Sequence, residues 1–530
     1  MDHLIPNTLD YPVISLVLLL PLAGALIALV LPDREGKTAS IHKIWATAVS
    51  VATALAALPL YLNFDAGTHL YQFTETRTWI QAFDVSYCVG VDGISLLLVM
   101  LTVLIMPVVL LCSFTYIGPR HKEFVFSVLL METFMIGVFV SLNMVLFFIF
   151  WEAMLIPMYL LIAVWGGERR DYASIKFFLY TLVGSIFMVV AIIAVYVKTG
   201  TFLIPDIMEH HFDFGFQVLV FLALSLAFAV KIPMFPLHTW LPAAHVEAPA
   251  SGSVILASVL LKMGGYGFLR FCLPMTPAAF DMFAPVFILL SLVSILAGGY
   301  LALGQTDMKK LIAYSSVGHM GFVTLGIFVI TSMGIKGAIL QMVNHGVTTG
   351  ALFVCMGLLY ERTHSREIRD HLALGRVMPW FLAFFVIFSL SSFGFPGTNS
   401  FVGEVMILIA AFERSPVVGF IAIPGAVLAA AYMLRLTQKL IWADDDGHHH
   451  DIDPDKQNWD LTPRETATLG FLALFVFWIG LFPGPFLEVM DTSVTHLMDQ
   501  FHQGLEQTKD AHGAGHALLM QWKAVLQTLI

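Results

Sequence analysis

Four ionisable residues lie where hydrocarbon would be expected to surround them. They are Glu152 in LFFIFWEAMLIPMYLL, Lys231 in LALSLAFAVKIPMFPL, Lys262 in SGSVILASVLLKMGGYGF and Glu404 in FPGTNSFVGEVMILIAAF. A charge at the centre of a membrane helix costs roughly 2.5–3.5 kcal/mol, so four uncompensated ones cost on the order of 10 kcal/mol. Residues so placed face a protein interior or a water-filled path, and they carry protons or ions. Burial favours the neutral form of such a group, and an opposite charge restores the ionised form. A lysine that gains and loses a carboxylate partner is therefore a switchable proton site. Glu152 and Lys231 are the candidate pair, with a static ion pair as the plain alternative. Lys262 follows Ser258 by four residues on one helix face and is the candidate central carrier. Glu404 is the candidate exit site; its structural alternative is a carboxylate near a helix end that reaches interfacial water.

Histidines extend this set. His319 lies four residues after Ser315, and His345 four after Gln341, so each pair makes a polar stripe facing inward. Histidine titrates near neutral pH and can relay protons, although a buried one can equally be a hydrogen-bonded core residue. Lys231, His238 and His245 are spaced by seven, but the prolines between them void that periodicity; His238 stays a weaker candidate relay. Glu132, in VLLMETFMIG, is a fifth intramembrane carboxylate or a residue near a helix end. Glu247 reads as a cap or gate residue. The acidic, histidine-rich loop DDDGHHHDIDPD (444–455) carries metal-ligating residue types, but such loops bind metal adventitiously, and no metal site is assigned.

Other chemistries are excluded or unsupported. Cys88, Cys112, Cys272 and Cys355 are scattered without a C-x-x-C pair, against the clustered ligands of zinc or iron–sulfur sites. Neither a G-x-G-x-x-G nor a P-loop is present, so no nucleotide site is proposed. The net charge of -10 forms no basic block of the kind nucleic acid requires.

The elements that must position these residues are membrane helices. Of the 530 residues, 58% are hydrophobic and 12% charged, against about 25% charged in soluble domains. Mean hydropathy is +0.83. With about 20 apolar residues per crossing, fourteen spans are expected, beginning near residues 12, 44, 92, 124, 144, 174, 216, 250, 280, 306, 335, 378, 415 and 466. The N-terminus lacks a basic region and a cleavage site, so the first span is expected to be retained. Eighteen Lys and Arg residues fall in loops after odd-numbered spans and seven on the opposite side, leaving Lys231 and Lys262 of the 27. The positive-inside rule then puts both termini outside, in the periplasm of a bacterium.

Two spans are long and interrupted. The seventh, about 216–247, contains Pro233, Pro236 and Pro242; the twelfth, about 378–411, contains Gly394, Pro396 and Gly397. Proline removes a backbone donor and clashes with the preceding turn. Paired interruptions point to a transporter built from inverted repeats. The expected fold is an all-α polytopic membrane protein with two inverted five-helix repeats, spans 4–8 and 9–13. It divides into an N-terminal three-helix segment (1–123), a first repeat (124–275), a second repeat (276–440), and a loop, last span and tail (441–530).

The segment FPLHTWLPAAHVEAPASGSVILASVLLKMGGYGFLRF (235–271) resembles the hallmark of the antiporter-like subunits of respiratory complex I. FWEAMLIPMYLLI (150–162) narrows the resemblance to the chain M (subunit 4) type, and DMKKLIAYSSVGHMGFVTLGI (307–327) and VDGISL (91–96) also fit. The resemblance is strong over roughly residues 90–440. It implies that Glu152 and Lys231 form the charged pair of the first half-channel, that Lys262 is the central lysine, and that His319 and His345 are the buried histidines between half-channels. Glu404 matches a twelfth-span position that is glutamate in chain M and usually lysine in chains L and N. Glu132 is not carried over.

The implied function is proton translocation in the membrane arm of NADH:quinone oxidoreductase, coupled to electron transfer from NADH to quinone. The resemblance implies no redox centre in this chain. NADH, FMN, iron–sulfur clusters and ubiquinone or another quinone belong to partner subunits, which include chains L and N and the peripheral redox arm. It places the chain in the cell inner membrane, in preference to the mitochondrial one. The alternatives are a subunit of a multisubunit sodium/proton antiporter or of a membrane-bound hydrogenase complex; a scaffold with static buried pairs is the non-transporting reading.

Overall fold

The computed structural model describes residues 3–32, 38–83, 85–114, 117, 120–372, 374–442 and 459–511. The loop 444–455 lies outside the described residues. The chain opens with strand β1 (Leu4–Pro6), then helices α1 (Val13–Val30) and α2 (Thr38–Leu62), strands β2 (Tyr71–Ile80) and β3 (Val85–Val91), and helices α3 (Ser95–Cys112) and α4 (His121–Val140). Next come α5 (Met144–Ala153), α6 (Leu155–Trp165), α7 (Arg170–Thr199), the short α8 (Ile204–Met208), α9 (Phe214–Lys231) and α10 (Trp240–Glu247). One span is assembled from α11 (Ala250–Ile255), α12 (Leu261–Gly267) and α13 (Leu273–Met275), joined by π-helical turns at Leu256–Leu260 and Phe268–Cys272. The remainder is α14 (Pro277–Leu303), α15 (Met308–Phe328), α16 (Ser332–Thr363), α17 (Pro379–Ser392), α18 (Asn399–Arg414), α19 (Pro416–Trp442), α20 (Pro463–Leu481) and α21 (Gly484–Ala511).

Thirteen helical segments of the described chain are long and apolar enough to cross a membrane, and the apolar α17 adds a shorter one. That agrees with fourteen expected spans, the twelfth being split between α17 and α18. Local sequence starts several of them. Asn143, Asp213, Asp307, Thr331 and Thr462 each accept a backbone N–H of the first turn through their side chains, satisfying donors that a helix start leaves open. The segment Ala250–Met275 and α16 are buried along their whole apolar windows, so they form the centre of the bundle. Leu179, Val183, Ile186, Val190, Ile193 and Val197 of α7 are exposed, as suits a helix facing hydrocarbon.

Both expected breaks are present. Lys231 ends α9, and Ile232–Thr239, containing Pro233 and Pro236, is non-helical. Pro242 does not take part in the break. It lies in the first turn of α10, where a missing N–H removes no helical bond. The second break, Phe393–Thr398, uses Gly394 and Gly397 at φ +70° and +90°, which glycine adopts without a Cβ penalty. A third, milder interruption at Met154 separates α5 from α6. Pro157 explains it, because its ring excludes the carbonyl of Ala153 four residues earlier.

A small sheet, order β1-β2-β3, was not foreseen. β1 runs parallel to β2, and β2 pairs antiparallel with β3 in a register that opposes Glu75 to Val89 and Thr78 to Ser86. It packs at the end of the bundle where α21 lies. That helix turns Val489, Met490, Val494, Leu497, Met498 and Phe501 inward at three- and four-residue spacing.

Candidate proton-transfer site

The two buried spans bring four of the predicted residues into one file. Lys262, on α12 and fully buried, donates to the carbonyl of Ala257 and lies 2.7 Å from His345 Nδ1 on α16. Ala257 is five residues back, within the π turn. Such turns are frequent at functional sites and here re-aim the lysine. Nε2 of His345 has no partner. Its ring centroid is 5.8 Å from that of His319 on α15. Nδ1 of His319 lies 3.0 Å from Glu404 Oε1 on α18, and the same oxygen accepts from Gln341 Nε2 at 3.0 Å. Nε2 of His319 approaches Tyr432 Oη at 3.4 Å and Ser392 Oγ at 3.5 Å. Lys262, His345, His319 and Glu404 thus lie in order across three helix interfaces, with direct contacts at the first and last steps and a 5.8 Å centroid separation between the two histidines.

Close backbone approach makes this file possible. A Cβ on Gly264 would meet the carbonyl oxygen of Phe228 at 2.6 Å, and one on Gly394 would meet Glu404 Oε2 at 3.1 Å. The first contact seats α12 against α9. The second lets the twelfth-span break fold over Glu404.

Glu152 and Lys231 stand at the other side of α12. Lys231 is 1% exposed, and its Nζ has no hydrogen-bond partner. It rests over the Trp151 ring, 5.1 Å from the centroid, a cation–π contact that strengthens when desolvated. Glu152 is its electrostatic neighbour, yet Glu152 Oε1 also lacks a hydrogen bond. The two charges are close and not bonded to one another. His238 lies in the first break, stacked on Phe235 with Nδ1 unpartnered, and does not join the Lys262–Glu404 file by any contact.

Other buried ionisable groups play different parts. Glu132 is fully buried, accepts from Ser50 Oγ at 3.1 Å, and keeps Oε2 without a partner. It sits against α2, away from the file. Glu247 receives the backbone N–H of Arg169 on its side chain and that of Gly167 on its carbonyl, tying the start of α7 to the end of α10. Arg270, at the sheet end of the Lys262 span, bonds Asp92 Oδ1 at 2.7 Å, Tyr71 Oη at 2.8 Å and Tyr266 Oη at 3.1 Å.

Sequence reasoning missed three contributors. Gln341 was noted only for its spacing, and it holds Glu404. Tyr432 backs His319. His245 is fully buried, stacked on Phe353 at 4.6 Å, with both ring nitrogens unpartnered; its place in the 235–271 motif was the available signal. Among the described residues no cluster suited to a metal ion occurs.

Fold and site together define a multi-span subunit of the antiporter-like class. The family model described as NADH:quinone oxidoreductase/Mrp antiporter, transmembrane, matches residues 141–429. NADH-quinone oxidoreductase subunit M of Rhodobacter capsulatus is 43% identical over 508 residues, covering 93% of this chain and 97% of the relative. NADH-ubiquinone oxidoreductase chain 4 of Chondrus crispus is 41% identical over 91% of this chain and 96% of the relative. A chain of respiratory complex I from Thermus thermophilus superposes with a TM-score of 0.82 at 31% identity, covering 93% of this chain and 99% of that one. A chain of the Mrp complex from Dietzia sp. DQ12-45-1b, at 19% identity and TM-score 0.78, covers 97% of this chain and 58% of that one, and shares the fold alone. The chain belongs to the subunit M (chain 4) family of NADH:quinone oxidoreductase.

Proposed function

We propose that this chain translocates protons in the membrane arm of NADH:quinone oxidoreductase, along Lys262, His345, His319 and Glu404. The observation that carries the reading is the 2.7 Å contact between Lys262 and His345, continued by the 3.0 Å contact between His319 and Glu404. Histidine accepts a proton at one ring nitrogen and releases it from the other. A proton given by Lys262 to Nδ1 of His345 leaves from the unpartnered Nε2 toward His319, and passes through Nδ1 to Glu404. The first and last steps use contacts already in place; the middle one, between rings with centroids 5.8 Å apart, needs a ring rotation or a bridging water.

Glu152 and Lys231 load this file. Two unit charges near 4 Å interact by about 4 kcal/mol at an effective dielectric of about 20, worth about three pKa units. Closing the pair holds Lys231 charged; opening it sends the positive field toward Lys262. Quinone reduction in the partner subunits drives the change, and NADH, FMN, iron–sulfur clusters and quinone are bound there. The neighbours along the membrane arm are chains of the L and N types. The host membrane is a cell inner membrane, with both termini outside. Spans 4–8 and 9–13 act as inverted half-channels, since one break adjoins Lys231 and the other Glu404. Electron transfer and proton release by the purified complex in vesicles test the scheme. Lys231→Ala or Glu152→Ala with an unchanged proton-to-electron ratio would refute it.

A further inference from the structure

The second break is clasped as well as bent. Ser391 lies in the last turn of α17, and Asn399 opens α18 directly after the break. Ser391 Oγ donates to Asn399 Oδ1 at 2.5 Å, closing the intervening loop on itself. Thr348 Oγ1, on α16, lies 2.7 Å from Ser391 Oγ and 3.2 Å from the same Asn399 oxygen. Asn399 Nδ2 donates to the carbonyl of Asn344 at 3.3 Å, and Asn344 Nδ2 returns a bond of 2.8 Å to the carbonyl of Asn399. An amide side chain presents an acceptor oxygen and a donor nitrogen at once, and Asn399 uses both. It is wholly buried, as are Asn344 and Ser391. Thr398, at the cap position of α18, makes no side-chain bond to the first turn. The start of this helix is therefore fixed by its neighbours and not by a local cap.

The clasp spans the two groups that meet His319. Ser392, beside Ser391, has its Oγ 3.5 Å from Nε2, and Glu404, five residues after Asn399, has Oε1 3.0 Å from Nδ1. The two sides of the break thus hold opposite edges of one imidazole ring. Further along α18, a Cβ on Gly403 would meet Gln341 Oε1 at 2.6 Å and Asn344 Nδ2 at 3.1 Å. Asn344 therefore lies against both Asn399 and Gly403, where it sets the roll of α18 about its axis. A helix is about 10–12 Å across with its side chains, so a roll of about 20° carries a side-chain tip through about 2 Å. A shift of that size breaks a 3.0 Å hydrogen bond.

We infer that Asn399 is a positioning residue for proton exchange between Glu404 and His319. It acts by clasping the two sides of the second break and fixing α18 on α16. The inference deepens the proton-transfer reading above and rests on it.

Asn399→Leu keeps the approximate volume and removes the side-chain bonds. A misplacement of about 1 Å can cost a positioned reaction on the order of 10²-fold. In the whole complex, purified and returned to vesicles, Asn399→Leu should leave the KM for NADH unchanged and lower the proton-to-electron ratio about twofold or more. Ser391→Ala and Thr348→Val each remove one hydroxyl from Asn399 Oδ1 and should lower the ratio less; they carry the test if Asn399→Leu fails to assemble. Electron cryomicroscopy of the most affected variant that assembles should show Glu404 and His319 more than about 3.5 Å apart. A separation still at 3.0 Å, or an unchanged ratio in all three variants while Glu404→Gln lowers it, would overturn the inference. An unchanged ratio in Glu404→Gln itself would overturn the proton-transfer reading, and the separation would still decide whether Asn399 places the carboxylate.

Discussion

His345 meets Lys262 through one ring nitrogen, at 2.7 Å, and leaves the other without a partner. An unpartnered buried polar atom costs about 1–3 kcal/mol, so the free nitrogen is a place where a proton acceptor or a bridging water would be stabilised. Replacing His345 by Gln keeps a polar side chain but removes the two-nitrogen relay. Loss of a positioned acid–base group slows proton transfer by on the order of 10²-fold or more. His345→Gln should therefore assemble normally and lose most proton release per NADH oxidised. Normal pumping by this variant would show that protons take another path.

Glu404 gathers His319 and Gln341 on one oxygen. Hydrogen bonds to charged groups are worth about 1.5–3 kcal/mol. Glu404→Gln preserves shape and removes the acceptor charge, so proton release should fall sharply while Glu404→Asp retains part of it. Acidification of the vesicle lumen, followed with a pH-sensitive dye, distinguishes the two variants.

Arg270 and Asp92 form a buried ion pair, with side chains 7% and 5% exposed. Removing one member of such a pair costs about 3–5 kcal/mol, because the other charge is left uncompensated. Asp92→Ala should lower the thermal stability of the complex markedly. Asp92→Ala combined with Arg270→Met should be milder than Asp92→Ala alone, and a double variant that is worse would contradict the argument.

Gly264→Ala places a Cβ 2.6 Å from the Phe228 carbonyl, where neither backbone can yield cheaply. Overpacking of this kind costs about 1–3 kcal/mol. The expected result is reduced assembly of the complex on native gels. Gly484→Ala, with nothing within 4 Å, is the control and should assemble fully.

His496, on α21 outside the candidate spans, is pushed down to about 4 by burial and by the nearby His69 and His3, against the opposing pull of Asp499 and Asp92. Its ring stacks on His69 with centroids 3.7 Å apart. The unfolded chain binds the extra proton at higher pH than the folded one, so stability is full above about 6.5 and declines as pH falls toward about 4. Hydrogen exchange in α21 should accelerate over that interval, and His496→Phe should flatten the dependence.

Much of this arrangement was legible in the residues. The intramembrane charges, the breaks at Pro233, Pro236, Gly394 and Pro396, and the helical architecture all follow from hydropathy and backbone chemistry. Other features were not legible, for stated physical reasons. The Arg270–Asp92 bond joins residues 178 positions apart, and no local pattern encodes such a contact. β2 and β3 escaped notice because their short segments sit between strongly apolar spans. The state of the Glu152–Lys231 pair depends on side-chain orientation, and only the structure puts Trp151 beneath the lysine. The π turns around Lys262 leave no signature in a sequence that reads as an ordinary helix.

The first break has an electrostatic meaning beyond its geometry. Peptide dipoles in α9 add to roughly half a negative charge at the helix C-terminus. Because the helix stops at Lys231, that partial charge lies inside the bundle beside the ammonium group, where an uninterrupted span would have carried it to the surface. Helix ends stabilise a matching charge by about 0.3–1 kcal/mol, and by up to about 2 in buried settings. The interruption is thus a fixed counter-charge that needs no acidic side chain. Lys231 can leave Glu152 without being wholly abandoned by negative potential.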